Sequence, residues 1–383
     1  MPEFYQNYLK SQLELRQYLL LTILVNLLQS VKTVKLEALA AALPLPILFE
    51  SRRHKLQKFL SVLGAKVELL WFPLFASWLK DNFAEHQVLY LAIDRTSWKS
   101  INLLMVSLIW ERRAIPIYFE LLAHKGSSSF ELQTEILAQV LPLVKDSTVV
   151  LLGDREFCGV RLANWLAQQG CYFCLRLKQN EYIELEKGIW IQLKALGLKP
   201  GISLYLEGVS LTKQKGFKPY NLAAKWRKKY RGWAPKEGWF IFTNIESLDI
   251  ALQAYQKRFG IEEMFRDLKS GGYNLEGTNL SGARLKAIIL IITIAYTSAT
   301  FGGKTIKHMG IQKYVGRVQE VGRIIKRHSS FYIGLYGQTW VHFQDGCEDA
   351  VVQLMKIVRN KWSNFQRGLR ARTLILSALQ LSS

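Results

Sequence analysis

Three carboxylates stand where hard-cation chemistry would need them. Asp94 follows the apolar run Val88–Ile93 (VLYLAI) and Asp154 follows Ser147–Gly153 (STVVLLG). A carboxylate placed where an apolar strand emerges is aimed at the rim of a sheet, in a low dielectric and with little freedom. Two of them on neighbouring strands form the oxygen-rich pair that Mg²⁺ or Mn²⁺ requires. Either aspartate taken alone reads equally well as the start of a turn.

The third acid lies in Leu248–Lys269 (LDIALQAYQKRFGIEEMFRDLK), which the apolar spacing predicts to be one helix. At about 100° per residue, Tyr255, Arg258, Glu262 and Lys269 share an arc of about 60°. Phe265, Ile261 and Leu268 flank that arc on one side and Phe259 on the other. A surface helix sets its charges opposite its apolar stripe. Here they are embedded in the stripe, so this face turns inward carrying ionisable groups that need partners. Glu262 would supply a third metal carboxylate. Arg258 and Lys269, joined by Arg266, would hold phosphate oxygens. The competing explanation is an internal salt-bridge network, and Gly260 in mid-helix costs about 1 kcal/mol relative to alanine.

Elements able to position such a site follow one another along the chain. Val88–Ile93, Leu103–Ile109 and Ile115–Leu122 read as three consecutive strands, Phe130–Val144 as an amphipathic helix and Ser147–Gly153 as a buried strand. Leu162–Gln169 reads as a second helix and Cys171–Leu177 as a fifth strand. This order is that of a ribonuclease-H-like domain, although other α/β folds share parts of it.

The flanks differ in character. Up to about Glu85 the pattern is helical. Lys35–Leu43 stops at Pro44 and Pro46, and Phe49–Gly64 buries Leu56, Phe59, Leu60 and Leu63 on one face. Arg52, Arg53, Lys55 and Lys58 fall largely outside that stripe. The pair suggests a helix-turn-helix-like DNA reader, with an ordinary solvated basic helix as the alternative. Between Glu181 and about Phe242 short strand-like pieces precede a basic tract. Thr212–Lys236 holds nine Lys and Arg and no acid, interleaved with Phe217, Tyr220, Trp226, Tyr230 and Trp233. Cations among aromatic rings suit a surface that neutralises phosphates and stacks bases, as against a merely solvated loop. The C-terminal part is again helical and basic.

Bulk properties narrow the classes. With 49% apolar residues the chain folds around a core, and 51 Lys and Arg against 30 Asp and Glu leave a net charge of +21. Such an excess implies an anionic partner, most commonly a polyphosphate backbone and less readily a membrane surface. Ala287–Gly303 carries no charge but is short of the ~20 apolar residues a span needs. A buried core helix is expected there. Four cysteines are too few for a disulfide framework, and Cys171-x-x-Cys174 lacks a second Cys/His pair for zinc. A reduced, cytosolic chain is expected.

Tyr255-x-x-Arg258-x-x-x-Glu262-x-x-x-x-x-x-Lys269 resembles, at every spacing, the Y-R-E-K signature of the insertion-sequence-4 family of bacterial DDE transposases. Gly153-Asp154-Arg155-Glu156-Phe157 resembles that family's second-Asp motif and Asp94-Arg95-Thr96 its first. The run SRRHKLQKFL is similar to its N-terminal segment, so the resemblance spans nearly the whole chain. It implies an α/β fold with a ribonuclease-H-like (retroviral-integrase-like) catalytic core and a β-rich insertion, flanked by helical N- and C-terminal regions. The expected divisions are 1–85 for end recognition, 86–180 and 243–303 for the core, 181–242 for the insertion and 304–383 for a basic helical tail.

By the same likeness Asp94, Asp154 and Glu262 bind two Mg²⁺ (or Mn²⁺) ions. These would serve hydrolysis and strand transfer at terminal inverted repeats, moving a bacterial insertion sequence by cut and paste. Double-stranded DNA is the implied partner, met by a dimer in the synaptic complex, in the bacterial cytoplasm at the nucleoid and with no membrane involved. The expected DNA contacts are Tyr255, Arg258, Lys269, Arg266, Arg52, Arg53, Lys228, Lys229 and Trp239. Some members flip a base onto an insertion-domain tryptophan. Trp239 matches that position and reads equally well as a core aromatic on a strand. The rivals are a nuclease or resolvase on the same core without strand transfer, and a non-catalytic DNA-binding derivative.

Overall fold

Ile101–Trp110 (INLLMVSLIW) is buried at every position after Ile101, as a strand covered on both faces must be. In the computed structural model it is the second strand of a ten-stranded sheet. The structure describes residues 1–123, 126–211, 213, 219–229, 234–321 and 327–380. Within the basic tract, Phe217, Tyr230 and Trp233 lie outside the described residues.

Helices α1 (Glu3–Gln12), α2 (Leu15–Val31), α3 (Leu36–Ala42), α4 (Phe49–Leu63) and α5 (Val67–Asn82) come first. Then follow β1 (Val88–Trp98), β2 (Ile101–Trp110), β3 (Arg113–Leu121), α6 (Phe130–Val140), β4 (Thr148–Gly153), α7 (Val160–Gln168) and β5 (Tyr172–Arg176). Next are β6 (Tyr182–Glu186), β7 (Ile189–Gln192), β8 (Ser203–Leu211), β9 (Tyr220–Lys225), β10 (Trp239–Thr243), α8 (Leu248–Lys257) and α9 (Phe259–Leu268). The chain closes with α10 (Gly282–His308), α11 (Ser330–Gly346), α12 (Glu348–Ile357) and α13 (Trp362–Gln380). Two compact units result, Met1–Leu74 with Arg266–Ser383, and Phe75–Phe265.

The unit Phe75–Phe265 holds the sheet, in the order β3-β2-β1-β4-β5-β10-β9-β8-β6-β7. β1 is antiparallel to β2 and parallel to β4, and β4 is parallel to β5 through α7. The strands beyond β5 extend the same sheet, with β10 antiparallel to both β5 and β9. The fold is therefore mixed α/β, with a large central sheet and helical flanks. Two expectations need correction. Asp94 does not end its strand: pairing with β2 carries β1 on to Trp98, with Asp94 opposite Met105. The predicted helix over Phe130–Val144 is α-helical only to Val140, where Pro142 brings a tighter turn over Leu141–Val144.

The other unit is helical. α10 is long and apolar enough to cross a membrane by length and composition, yet 94% of its most apolar window is buried inside the protein. Ala287–Gly303 is thus the core helix the sequence suggests, buried throughout. Two of its polar groups take partners from α1 and α2. Tyr5 donates to Thr297 Oγ1 at 3.0 Å, and Gln29 Nε2 donates to the Ala295 carbonyl at 2.6 Å. α11 approaches closely enough that a Cβ on Gly334 would collide with the Ala299 carbonyl, and one on Gly303 with that of Ser330. The stripe Leu56, Phe59, Leu60 and Leu63 of α4 is buried as its spacing requires.

Candidate active site

The two aspartates are neighbours because of strand register. Ile93 pairs with Gly153 across the parallel β1–β4 ladder, so the residues that follow this pair along the chain are Asp94 and Asp154. Adjacent strands lie about 4.8 Å apart. Gly153 is needed at that junction, since a Cβ there would stand 2.8 Å from Cβ of Phe157, where the chain folds back. Asp154 opens this turn: its Oδ1 accepts the Glu156 N–H at 2.9 Å and its carbonyl the Phe157 N–H at 3.0 Å. Asp94 is held likewise, Oδ1 accepting the Arg95 N–H at 2.8 Å.

Glu262 arrives on a helix that is not the single one its spacing predicts. The helix breaks at Arg258, between α8 and α9. The Arg258 N–H bonds the Tyr255 carbonyl at 3.1 Å and the Ile261 N–H bonds the Arg258 carbonyl at 3.0 Å, turns of three residues instead of four. Gly260 permits the break to press against β3, because a Cβ would lie 2.8 Å from the Arg113 carbonyl oxygen. Glu263 then pins α9 through an ion pair with Arg113 at 2.9 Å, both side chains about 15% exposed. The adjacent acid, Glu262, is left facing the aspartates. The break also turns Phe259 outward to 58% exposure, off the stripe it was expected to border.

Arg258 joins the acids. Its Nη1 lies 3.3 Å from Asp94 Oδ2, and its Nη2 bonds Glu262 Oε1. Burial pushes the Asp94 carboxyl up to about 7; Arg258 pulls it down, and the charges of Asp154 and Glu262 raise it further. Burial opposes the charge on Arg258, but Tyr255, Asp94, Glu262 and Asp154 together raise its pKa. Among the described residues no three His, Cys, Asp or Glu side chains are grouped closely enough to hold an ion as they stand. The donors nonetheless suit a hard divalent ion. All are carboxylate oxygens, and one internal guanidinium already holds two of them as a cation would.

Around this centre the remaining residues divide. Tyr255 is buried, its ring edge-on to Trp239 with centroids 5.1 Å apart and its hydroxyl facing the guanidinium groups of Arg258 and Arg176. Trp239, on β10, also carries the Arg227 guanidinium 4.8 Å over its ring. Lys228 and Lys229 are exposed beyond β9, and Arg266 is exposed at the end of α9. Lys269 belongs to the helical unit, where its Nζ pairs with Glu276 at 2.7 Å. Arg52 donates to the Ala41 and Leu43 carbonyls at 3.3 and 3.2 Å, and Arg53 pairs with Glu37 and Glu50. The exposed cations of α4 are Lys55 and Lys58.

Sequence reasoning did not single out Glu237, which bonds Arg155, Arg176 at 2.7 Å and Gln179 at 2.8 Å and so ties β10 to the turn after Asp154. Arg95 and Glu156 were quoted within the two Asp motifs but given no role of their own; their further signal was opposite charge one and two places after the aspartates.

A mixed α/β domain thus gathers carboxylates around the Arg258 guanidinium. Residues 91–298 match the transposase DDE domain family and include Asp94, Asp154 and Glu262. This chain belongs to that family. Among solved structures it is similar to the piggyBac transposase synaptic complex with hairpin DNA, at 13% identity and a TM-score of 0.42. The match covers 78% of this chain and 60% of that one. No curated protein sequence matches it.

Proposed function

We propose that the protein cuts and joins DNA at the ends of a bacterial insertion sequence, as an insertion-sequence-4-type transposase bearing the Y-R-E-K signature. One observation carries the reading: Asp94 and Asp154 follow paired residues on parallel strands, and the guanidinium bonded to Asp94 also bonds Glu262. The order β3-β2-β1-β4-β5, with β1 antiparallel to β2 and parallel to β4, supports a ribonuclease-H-like core.

Asp94, Asp154 and Glu262 would hold two Mg²⁺ or Mn²⁺ ions. The chemistry such ions supply is activation of an attacking hydroxyl and stabilisation of the leaving oxygen. Arg258, released from the carboxylates, is placed to take a phosphate oxygen, with Tyr255 packed beside it. Trp239, its ring half-exposed between Arg227 and Tyr255, is suited to stack on a base. Lys55 and Lys58 of α4 and Lys228 and Lys229 beyond β9 are the open cations for the DNA backbone. In the cell such a protein would work at the nucleoid, as a dimer bridging two element ends.

The test uses a plasmid carrying the inverted repeats, a target plasmid and Mg²⁺. The wild type should yield joined product. Asp94→Ala, Asp154→Ala and Glu262→Ala should each lose cleavage by at least ~10³-fold while still shifting DNA in a gel. Wild-type cleavage by any of the three overturns the site assignment. Cleavage by the wild type without joining would instead mark a nuclease.

A further inference from the structure

Each aspartate has one oxygen fixed by a backbone amide, and the two residues that supply those amides are joined through their side chains. Arg95 N–H holds Asp94 Oδ1 at 2.8 Å, and Glu156 N–H holds Asp154 Oδ1 at 2.9 Å. Arg95 Nε donates to Glu156 Oε2 at 2.7 Å, with the side chains 25% and 12% exposed. We propose that the Arg95–Glu156 ion pair is a positioning clamp that sets the spacing of the Asp94 and Asp154 carboxylates and thereby their affinity for a divalent cation. This rests on the reading of the aspartates as metal ligands.

Glu156 is a fourth carboxylate close to the site, and its bonds show why it is not a further ligand. Its Oε1 accepts the Ser128 N–H at 2.9 Å and the Ser128 hydroxyl at 3.0 Å, while Oε2 takes Arg95. Three donors on one largely buried carboxylate occupy most of its lone pairs. The network continues outward. Arg95 Nη1 donates to Asn102 Oδ1 at 3.1 Å, and buried Asn102 donates to the Gly126 carbonyl at 3.2 Å. Gln133 of α6 donates to the Ser128 carbonyl and hydroxyl at 3.2 and 3.1 Å. Strands β1 and β2, the turn after β4 and the start of α6 are thus tied to one carboxylate.

Direction supports the same role. Successive side chains on a strand leave opposite faces. Asp94 accordingly faces Arg258, and Arg95 leaves β1 on the other side to meet Glu156. The clamp acts through the backbone from the reverse face. Partners of this kind, one step behind metal ligands, typically govern affinity by 10- to 100-fold.

The experiment is calorimetric titration of the metal-free full chain with MnCl₂, with thermal melts alongside. Glu156→Gln and Arg95→Met should each weaken Mn²⁺ binding by about 10- to 100-fold, and the double variant should be no weaker than the weaker single one. A role confined to stability would lower the melting temperature and leave the affinity of the folded protein unchanged, which overturns the clamp. Asp154→Asn separates the two readings. If it binds Mn²⁺ like the wild type, the aspartates are not ligands and the clamp falls with them. If it loses binding while Glu156→Gln and Arg95→Met keep it, the clamp alone is overturned. Should those two variants lack a cooperative melt, Ser128→Ala decides, since it removes one donor from Glu156. A several-fold loss of affinity is expected, and no change overturns the proposal.

Discussion

A carboxylate buried beside two others resists ionisation until a cation arrives. Asp94 is in that position, its pKa pushed from the ordinary 3.8 to about 7 by burial first and by Asp154 and Glu262 after it, with Arg258 offsetting part of the rise. A folded-state pKa above the unfolded one stabilises the protein fully below about pH 4, and that contribution is lost as the pH climbs towards 7. At about 1.4 kcal/mol per unit of pKa the swing is on the order of 2–4 kcal/mol. Melting of the metal-free protein in chelator at pH 5 and pH 8 should show the loss. Asp94→Asn should flatten the difference and raise the melting temperature at pH 8. An unaltered difference in the variant would refute the assignment to Asp94.

The break between α8 and α9 decides where Glu262 goes. Gly260 sits at the first turn of α9 against the Arg113 carbonyl, and alanine there would favour helix by about 1 kcal/mol while forcing α9 off β3. The clash should win, because its neighbour is backbone and cannot rotate away. Gly260→Ala should therefore keep a cooperative melt but cut DNA cleavage by about 10²-fold, the usual effect of misplacing a reacting group by an ångström. Kinetics of end cleavage check this, and cleavage at the wild-type rate would show that the contact does not position Glu262. In the helical unit, the glycine contacts between α10 and α11 follow the same logic, with Gly303 and Gly334 letting two backbones meet.

For the molecule as a whole, the charge of +21 governs association with a polyanion. If six to ten phosphates are neutralised, affinity for element-end DNA should fall about 10³- to 10⁵-fold between 50 and 200 mM salt. Lys55→Ala and Lys58→Ala should each reduce the log–log salt slope by about 1 if α4 lies on the backbone. Fluorescence anisotropy at several salt concentrations measures both, and an unchanged slope would remove α4 from the interface. Arg52 and Arg53 should matter less to this slope, since their guanidinium groups are engaged with α3 and with Glu37 and Glu50.

Local pattern determined a good deal of this protein. Continuous apolar runs marked the strands of the meander and β4, and the uncharged stretch Ala287–Gly303 declared itself as core. The buried stripe of α4 could be read residue by residue, and the motifs around the acids pointed to the DDE transposase family that residues 91–298 match. These features depend on neighbours in sequence, whose periodicity is written directly in residue type. Tertiary structure alone decided the rest. It carried β1 past Asp94, because pairing with β2 outlasts pairing with β4. It split the Glu262 helix at Arg258, because α9 docks on β3 through Gly260 and Glu263. It also brought Arg95 to Glu156, 61 residues along the chain, to make an ion pair that no local period encodes. Contacts of that kind arise from strand register and face, which fix which side chains meet only once the sheet exists.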